Sequence, residues 1–313
     1  MIKIGFIGCH EVSFHCLKKI CNLSNQSNDV VSIVFDLLPE EASKHSASIS
    51  LEPLKNEFNF PLYHVKNITD PKNVSLLSKS NLDVLFIIGW HRIVPQSILD
   101  HATICIGLHT SMLPEDRGSS PINWQIIRGS KKGGVSLFHL TADVDSGNII
   151  DQKEFQIDLI DDVKTVYFKS ILASLDLLGN NWSDIHDLKP NQILQDEKNF
   201  TLNPRRKPDD GLIDWTKSSI ECYNWIRALT FPYPGAFTFW NGKKILIWKS
   251  KVSNKKQKEK PGTIVETKNN ILVSTGNGYL EITLLQIYDE PLCNSQVFEK
   301  SYQIKVGELF ENS

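Results

Sequence analysis

Short apolar runs that alternate with helical patterns fill the first half of this chain, and no other feature restricts its fold as much. Ile2 to Ile7 reads as a buried strand, Val12 to Cys21 as a helix, and Val30 to Phe35 as a second strand. Further strands are expected at Asp83–Gly89 and Ala102–Leu108. Strands separated by helices form βαβ units, so the expected fold class is α/β, with a Rossmann-like, doubly wound, mostly parallel sheet. Past Leu188 the character changes: a polar stretch leads into short strand-like segments separated by Asn-Gly, Pro-Gly and Gly-Asn-Gly turn signals. These predict a small C-terminal β-barrel, OB-like, and a division into residues 1–203 and 204–313.

Composition narrows the partners. A net charge of -2 offers no global basic field for nucleic acid. The six cysteines never form a C-x-x-C pair and lie mostly within apolar patterns, as reduced core residues do. No run approaches the roughly 18 apolar residues of a membrane span, and the N-terminus starts directly with a strand. A cytoplasmic protein without a membrane partner is expected.

The chemistry concentrates between Leu108 and Gly147. His109 follows the run Ile104-Cys105-Ile106-Gly107-Leu108, which should carry its imidazole to the carboxyl end of a strand, where open α/β sheets hold ligands. Asp145 lies in the loop after the strand Val135–Leu140, and neighbouring strand ends can bring its carboxylate to the ring. An adjacent carboxylate orients a histidine and raises its pKa, making it a proton carrier near neutral pH. Spacing alone also allows both to be hydrogen-bonded loop residues, and His139 is read as structural.

His109-Thr110-Ser111-Met112-Leu113-Pro114, Arg117-Gly118, Pro121-Ile122-Asn123-Trp124 and Asp145-Ser146-Gly147-Asn148-Ile149 together resemble the signature of the 10-formyltetrahydrofolate-dependent formyltransferases. Arg205-Arg206-Lys207-Pro208-Asp209-Asp210-Gly211 and Tyr233-Pro234-Gly235-Ala236-Phe237 are similar to the start of that family's C-terminal domain. The resemblance implies that His109 acts as general base and acid, supported by Asp145. It places 10-formyltetrahydrofolate, as co-substrate, along Arg92, Ile93 and Val94 and against the loop Thr141, Ala142, Asp143, Val144 and Asp145. It implies no metal.

Two positions depart from the family pattern. Its carbonyl-polarising Asn corresponds to Gly107, and an Arg that some members use toward folate corresponds to Ser119. An oxyanion donor is worth about 2.7 to 4 kcal/mol. The donor must then come from a backbone N–H, Ser111, Asn123 or a water, or the chain is a catalytically impaired binding homologue.

Among family branches, the closer resemblance is to the sugar-nucleotide N-formyltransferases, including the formyltransferase half of the bifunctional UDP-4-amino-4-deoxy-L-arabinose enzyme. The expected acceptor is therefore a nucleotide-linked amino sugar of the kind used in O-antigen or lipopolysaccharide biosynthesis. Ser111, Arg117, Arg205 and Arg206 are the candidate substrate contacts, the arginines because planar guanidinium groups suit phosphate oxygens. The alternatives are methionyl-tRNA and a hydroxyornithine-type amine. Against tRNA, the stretch Asp36-Leu37-Leu38-Pro39-Glu40-Glu41-Ala42-Ser43-Lys44-His45 is acidic, where the tRNA-directed members carry a basic insertion. The lysine-rich run 251–260 reads as a solvated hairpin loop. No nucleic-acid partner is expected, and a homodimer is compatible with the sequence.

Overall fold

The computed structural model describes residues 1–253, 255 and 258–311; three positions of the lysine-rich run, 254, 256 and 257, therefore lie outside the described residues. Contacts divide the chain into two compact units. One comprises residues 1–121, 132–156 and 168–204, the other 122–131, 157–167 and 205–313.

In the first unit, β1 (Lys3–Ile7), β2 (Val30–Leu37), β3 (Leu62–Val65), β4 (Leu82–Ile87) and β5 (Ala102–His109) are parallel and stand in the order β3-β2-β1-β4-β5. Ile4, Phe6, Val84, Phe86 and Ile106 are wholly buried, as expected of strands covered on both faces. The helix Glu11–Ser27 packs Val12, Cys16, Leu17, Ile20 and Cys21 inward at helical spacing. It starts where the Ser13 hydroxyl accepts the His10 backbone N–H and ends at Asn28, whose left-handed φ of 58° closes the last turn.

After β6 (Arg117–Gly118), two more strands extend the sheet beyond β5: β7 (Lys132–His139) and β8 (Ile149–Gln156). Both pairings, β5 with β7 and β7 with β8, are antiparallel. This direction matters for the site. Leu140, just beyond β7, donates to the carbonyl of Cys105 rather than lying beside His109. Asp145 is therefore not delivered by a neighbouring strand end; the loop 141–148 must return along β5 to reach the histidine.

The second unit is built on a curled antiparallel sheet of β10 (Ala236–Trp240), β11 (Lys243–Ser253), β14 (Tyr279–Ile287), β13 (Ile271–Ser274) and β12 (Ile264–Glu266) in that spatial order, with β15 (Cys293–Asn294) on β14. The stretch 308–311 bonds to Phe239 of β10 and to Ile264 of β12, joining the two edges of this half-barrel. Ile245, Ile247, Val273, Leu280, Ile282 and Phe298 fill its interior. No helix among the described residues is long and apolar enough to cross a membrane.

Candidate active site

His109 is the last residue of β5, and only 8% of it is exposed. Its Nε2 lies 2.7 Å from the backbone carbonyl of Asp116. A carbonyl oxygen can only accept, so Nε2 carries the proton that is donated there. In the neutral ring the lone pair then sits on Nδ1, which faces Asp145 Oδ2 at 3.5 Å. The same carboxylate oxygen accepts the Gly118 backbone N–H at 2.8 Å.

The loop carrying Asp145 is held under strain. Asp145 adopts φ 49°, a left-handed conformation unfavourable for a side chain with a Cβ. Two residues on, a Cβ at Gly147 would stand 1.7 Å from the His139 carbonyl oxygen, so only glycine lets the chain pass. That close approach gives the Asp-Ser-Gly part of the pattern its physical meaning.

The expected folate-side residues separate into exposed and buried ones. After β4, Ile93 is 70% exposed, whereas Val94 is buried in a core cluster with Ile98, Leu99 and Cys105. Arg92 donates to the Lys66 carbonyl and the His91 ring and lies 3.7 Å from Glu41. Thr141, Ala142, Asp143 and Val144 are all exposed, and the Thr141 hydroxyl bonds to Ser146. Between these stretches in sequence lie residues not singled out beforehand. A cavity of about 350 Å³ is lined by Gln96, Leu99, Asp100, Ala102, Thr103, Cys105 and Leu140. Its size falls within the range of small-molecule sites. Burial pushes the Cys105 thiol up to about 12, so this cavity wall carries no nucleophile at neutral pH.

Gly107 sits on β5 between Ile87 and Phe138. A Cβ there would meet Leu140 Cδ2 at 2.8 Å and Phe138 Cε1 at 3.0 Å. The space an asparagine would need is filled by hydrocarbon. Both side chains considered as substitute donors are engaged elsewhere: Ser111 donates to the Glu115 carbonyl at 2.6 Å, and Asn123, in the second unit, to the Ala228 carbonyl at 2.7 Å.

The candidate arginines differ sharply. Arg117 is buried, and its guanidinium is held by Gln195 and by both carboxylate oxygens of Glu197. In the second unit, Arg206 stacks between Trp124, at 5.1 Å, and Trp225, at 4.6 Å, and bonds to the Asp210 carbonyl. Arg205 beside it is exposed. Thus the structure brings His109, Asp145 and the Arg117 loop together, while Arg205 and Arg206 belong to the other unit. Gln195 and Glu197 escaped the sequence reading because a polar stretch carries no local signal of a partner nearly eighty residues away. Among the described residues no cluster of three or more His, Cys, Asp or Glu could hold a metal ion.

Comparison with known proteins gives a consistent picture. A family model described as formyl transferase matches residues 6–173, and one for the formyl transferase C-terminal domain matches residues 205–303. The chain is 34% identical over 309 residues to the bifunctional polymyxin resistance protein ArnA of Wigglesworthia glossinidia brevipalpis. That match covers 98% of this chain and 46% of ArnA, so the chain spans about half that relative's length. It is 30% identical over 292 residues to the methionyl-tRNA formyltransferase of Alkaliphilus oremlandii, covering 91% of this chain and 92% of that one. The fold superposes, with a TM-score of 0.69 and 20% identity, on the N-formyltransferase from Helicobacter canadensis solved with folinic acid and dTDP-3-aminofucose. That match covers 92% of this chain and 100% of the other.

Proposed function

The chain belongs to the formyl transferase family, and from that premise we propose that it moves the formyl group of 10-formyltetrahydrofolate to the amine of a nucleotide-linked amino sugar. The observation that carries the reading is the facing pair of His109 Nδ1 and Asp145 Oδ2 at the end of β5. Cys105, two strand positions before Gly107, opens onto a cavity large enough for a pterin. When bound, the folate supplies the formyl carbonyl. The chain supplies the proton handling: His109 Nδ1 takes the proton the attacking amine must lose, and Asp145 stabilises the imidazolium that results. The same ring returns a proton to the departing nitrogen. Exposed Ile93 and Val144 provide apolar surface for the part of the donor outside that cavity.

A sugar acceptor is favoured over tRNA by the loop after β2. There Glu40 is exposed and Glu41 pairs with Lys44, where phosphate binding would require a surplus of cations. The solved neighbour with dTDP-3-aminofucose is consistent with this choice. A second reading, a folate-binding relative with slow turnover, is favoured by Gly107 and the hydrocarbon that fills its surroundings.

The test is to incubate the purified protein with 10-formyltetrahydrofolate and UDP-, dTDP- or GDP-linked amino sugars, with methionyl-tRNA alongside, and follow folate release. Turnover with one sugar nucleotide supports the proposal. Formylation of the tRNA alone would sink it, and folate binding without any turnover would support the second reading.

A further inference from the structure

The segment 192–203 crosses both loops that converge on His109, and it does so within the first unit. β9 (Leu202–Asn203) pairs in parallel with β6, matching Arg117 to Leu202 and Gly118 to Asn203. The Asp116 N–H meets the Thr201 hydroxyl at 2.7 Å, the Asn203 amide donates to the Asp116 carboxylate, and the Arg117 N–H donates to the Thr201 carbonyl. Earlier in the segment, Ile193 exchanges two backbone hydrogen bonds with Ile149, just beyond the Asp145 loop.

Besides Asp145, whose carboxylate accepts the Gly118 N–H, the Gln195 side chain joins the two loops directly. Gln195 Oε1 accepts from Arg117 Nε at 3.0 Å and Nη2 at 2.7 Å. Its Nε2 donates to the carbonyls of Asp145, at 2.8 Å, and Gly147, at 2.7 Å. Both amide hydrogens and both oxygen lone pairs are used, so the amide has a single orientation. Glu197 takes the other side of the Arg117 fork, neutralising a buried guanidinium and holding its own carboxyl below the usual range through that hydrogen bond.

We infer that Gln195 is a positioning residue that sets the separation of His109 and Asp145. Arg117 lies between Asp116, whose carbonyl fixes His109 Nε2, and Gly118, whose N–H fixes Asp145 Oδ2. Tying Arg117 to the Asp145 carbonyl therefore closes a ring of contacts around the proton-handling pair. It also supplies what a non-glycine residue at positive φ requires, a surrounding that holds it there. The inference rests on the formyl-transfer reading for its effect on turnover, but not for its effect on the histidine.

Two variants separate the contacts. Gln195→Glu keeps an acceptor for Arg117 and loses both donors, while Gln195→Met keeps the length and loses every hydrogen bond. For the active protein, each is expected to lower kcat by about 10- to 100-fold, as misplaced reacting groups do, with KM for folate within about threefold. Nitrogen-15 spectra of the His109 ring give a readout independent of turnover. The wild type should show a single ring state with Nε2 protonated, and both variants a mixture of ring states. Melting curves identify any variant that fails to fold, and Gln195→Glu, with its size and its Arg117 contact preserved, is the one that decides. Wild-type kcat and an unchanged ring spectrum in Gln195→Glu would overturn the inference. Absence of formyl transfer by the wild type would count against the proposed function alone, because the ring spectra still decide the role of Gln195.

Discussion

The Nε2 of His109 lies 2.7 Å from the Asp116 carbonyl oxygen, and this contact decides which ring nitrogen can act as a base. With Nε2 committed as a donor, only Nδ1 is left, and it faces Asp145. His109→Ala should therefore lower kcat by about 10²- to 10⁴-fold while leaving folate affinity nearly unchanged. Asp145→Asn should be comparably damaging, because the new amide can donate to Nδ1 and cap the lone pair. Single-turnover assays and folate binding by fluorescence quenching check both; an Asp145→Asn variant with wild-type turnover would remove the carboxylate from the mechanism.

Gly107 leads to a prediction about two residues together. Placing Asn there alone forces its Cβ against Leu140 and Phe138, and overpacking of this kind costs about 1–3 kcal/mol. Gly107→Asn should thus be destabilised and gain nothing in rate. Combined with Leu140→Ala, which clears the nearest atom, the asparagine can point along β5 beside His109. The double variant should turn over about 10²-fold or more faster than Leu140→Ala alone. Equal rates would mean that another group already donates to the oxyanion.

How much of this was legible depends on the kind of interaction. The strand ending at His109 was readable because an apolar run ending in a polar residue has a local cause. Strand direction has none: the pattern Val135–Leu140 is the same for a parallel or an antiparallel neighbour, and only the register shows that the Asp145 loop must double back. Family likeness pointed to Gly107 as a missing donor, but Leu140 filling that space is a matter of packing between strands. The fork of Arg117 looked suited to phosphate for sound reasons of shape, and the fold instead gives it Glu197.

Arg205 and Arg206 are adjacent in sequence and should respond differently. Arg206 lies between two indole rings, so Arg206→Ala removes stacking as well as charge. Its melting temperature should drop, with a loss of roughly 1–3 kcal/mol. Arg205 is exposed, and its replacement by Ala should leave the melting temperature unchanged. If it meets the nucleotide phosphates, the same change should raise KM for the sugar nucleotide about 10-fold, as expected for a lost charge-assisted hydrogen bond. An unchanged KM would exclude Arg205 from the acceptor site.

Acid should destabilise the protein partly through His10. Burial first, and then the neighbouring His45, lower its pKa from 6.5 to about 4, and its buried Nε2 lacks a hydrogen-bond partner among the described residues. Between these values the unfolded chain binds a proton that the folded chain refuses. This contribution is thus fully present above about pH 6.5 and is lost as pH falls toward 4, reaching roughly 3 kcal/mol. His10→Gln carries no titrating group and should fall less steeply across that window. Urea unfolding at pH 7 and pH 4.5 makes the comparison, and an equal fall in both proteins would assign the acid sensitivity to other groups.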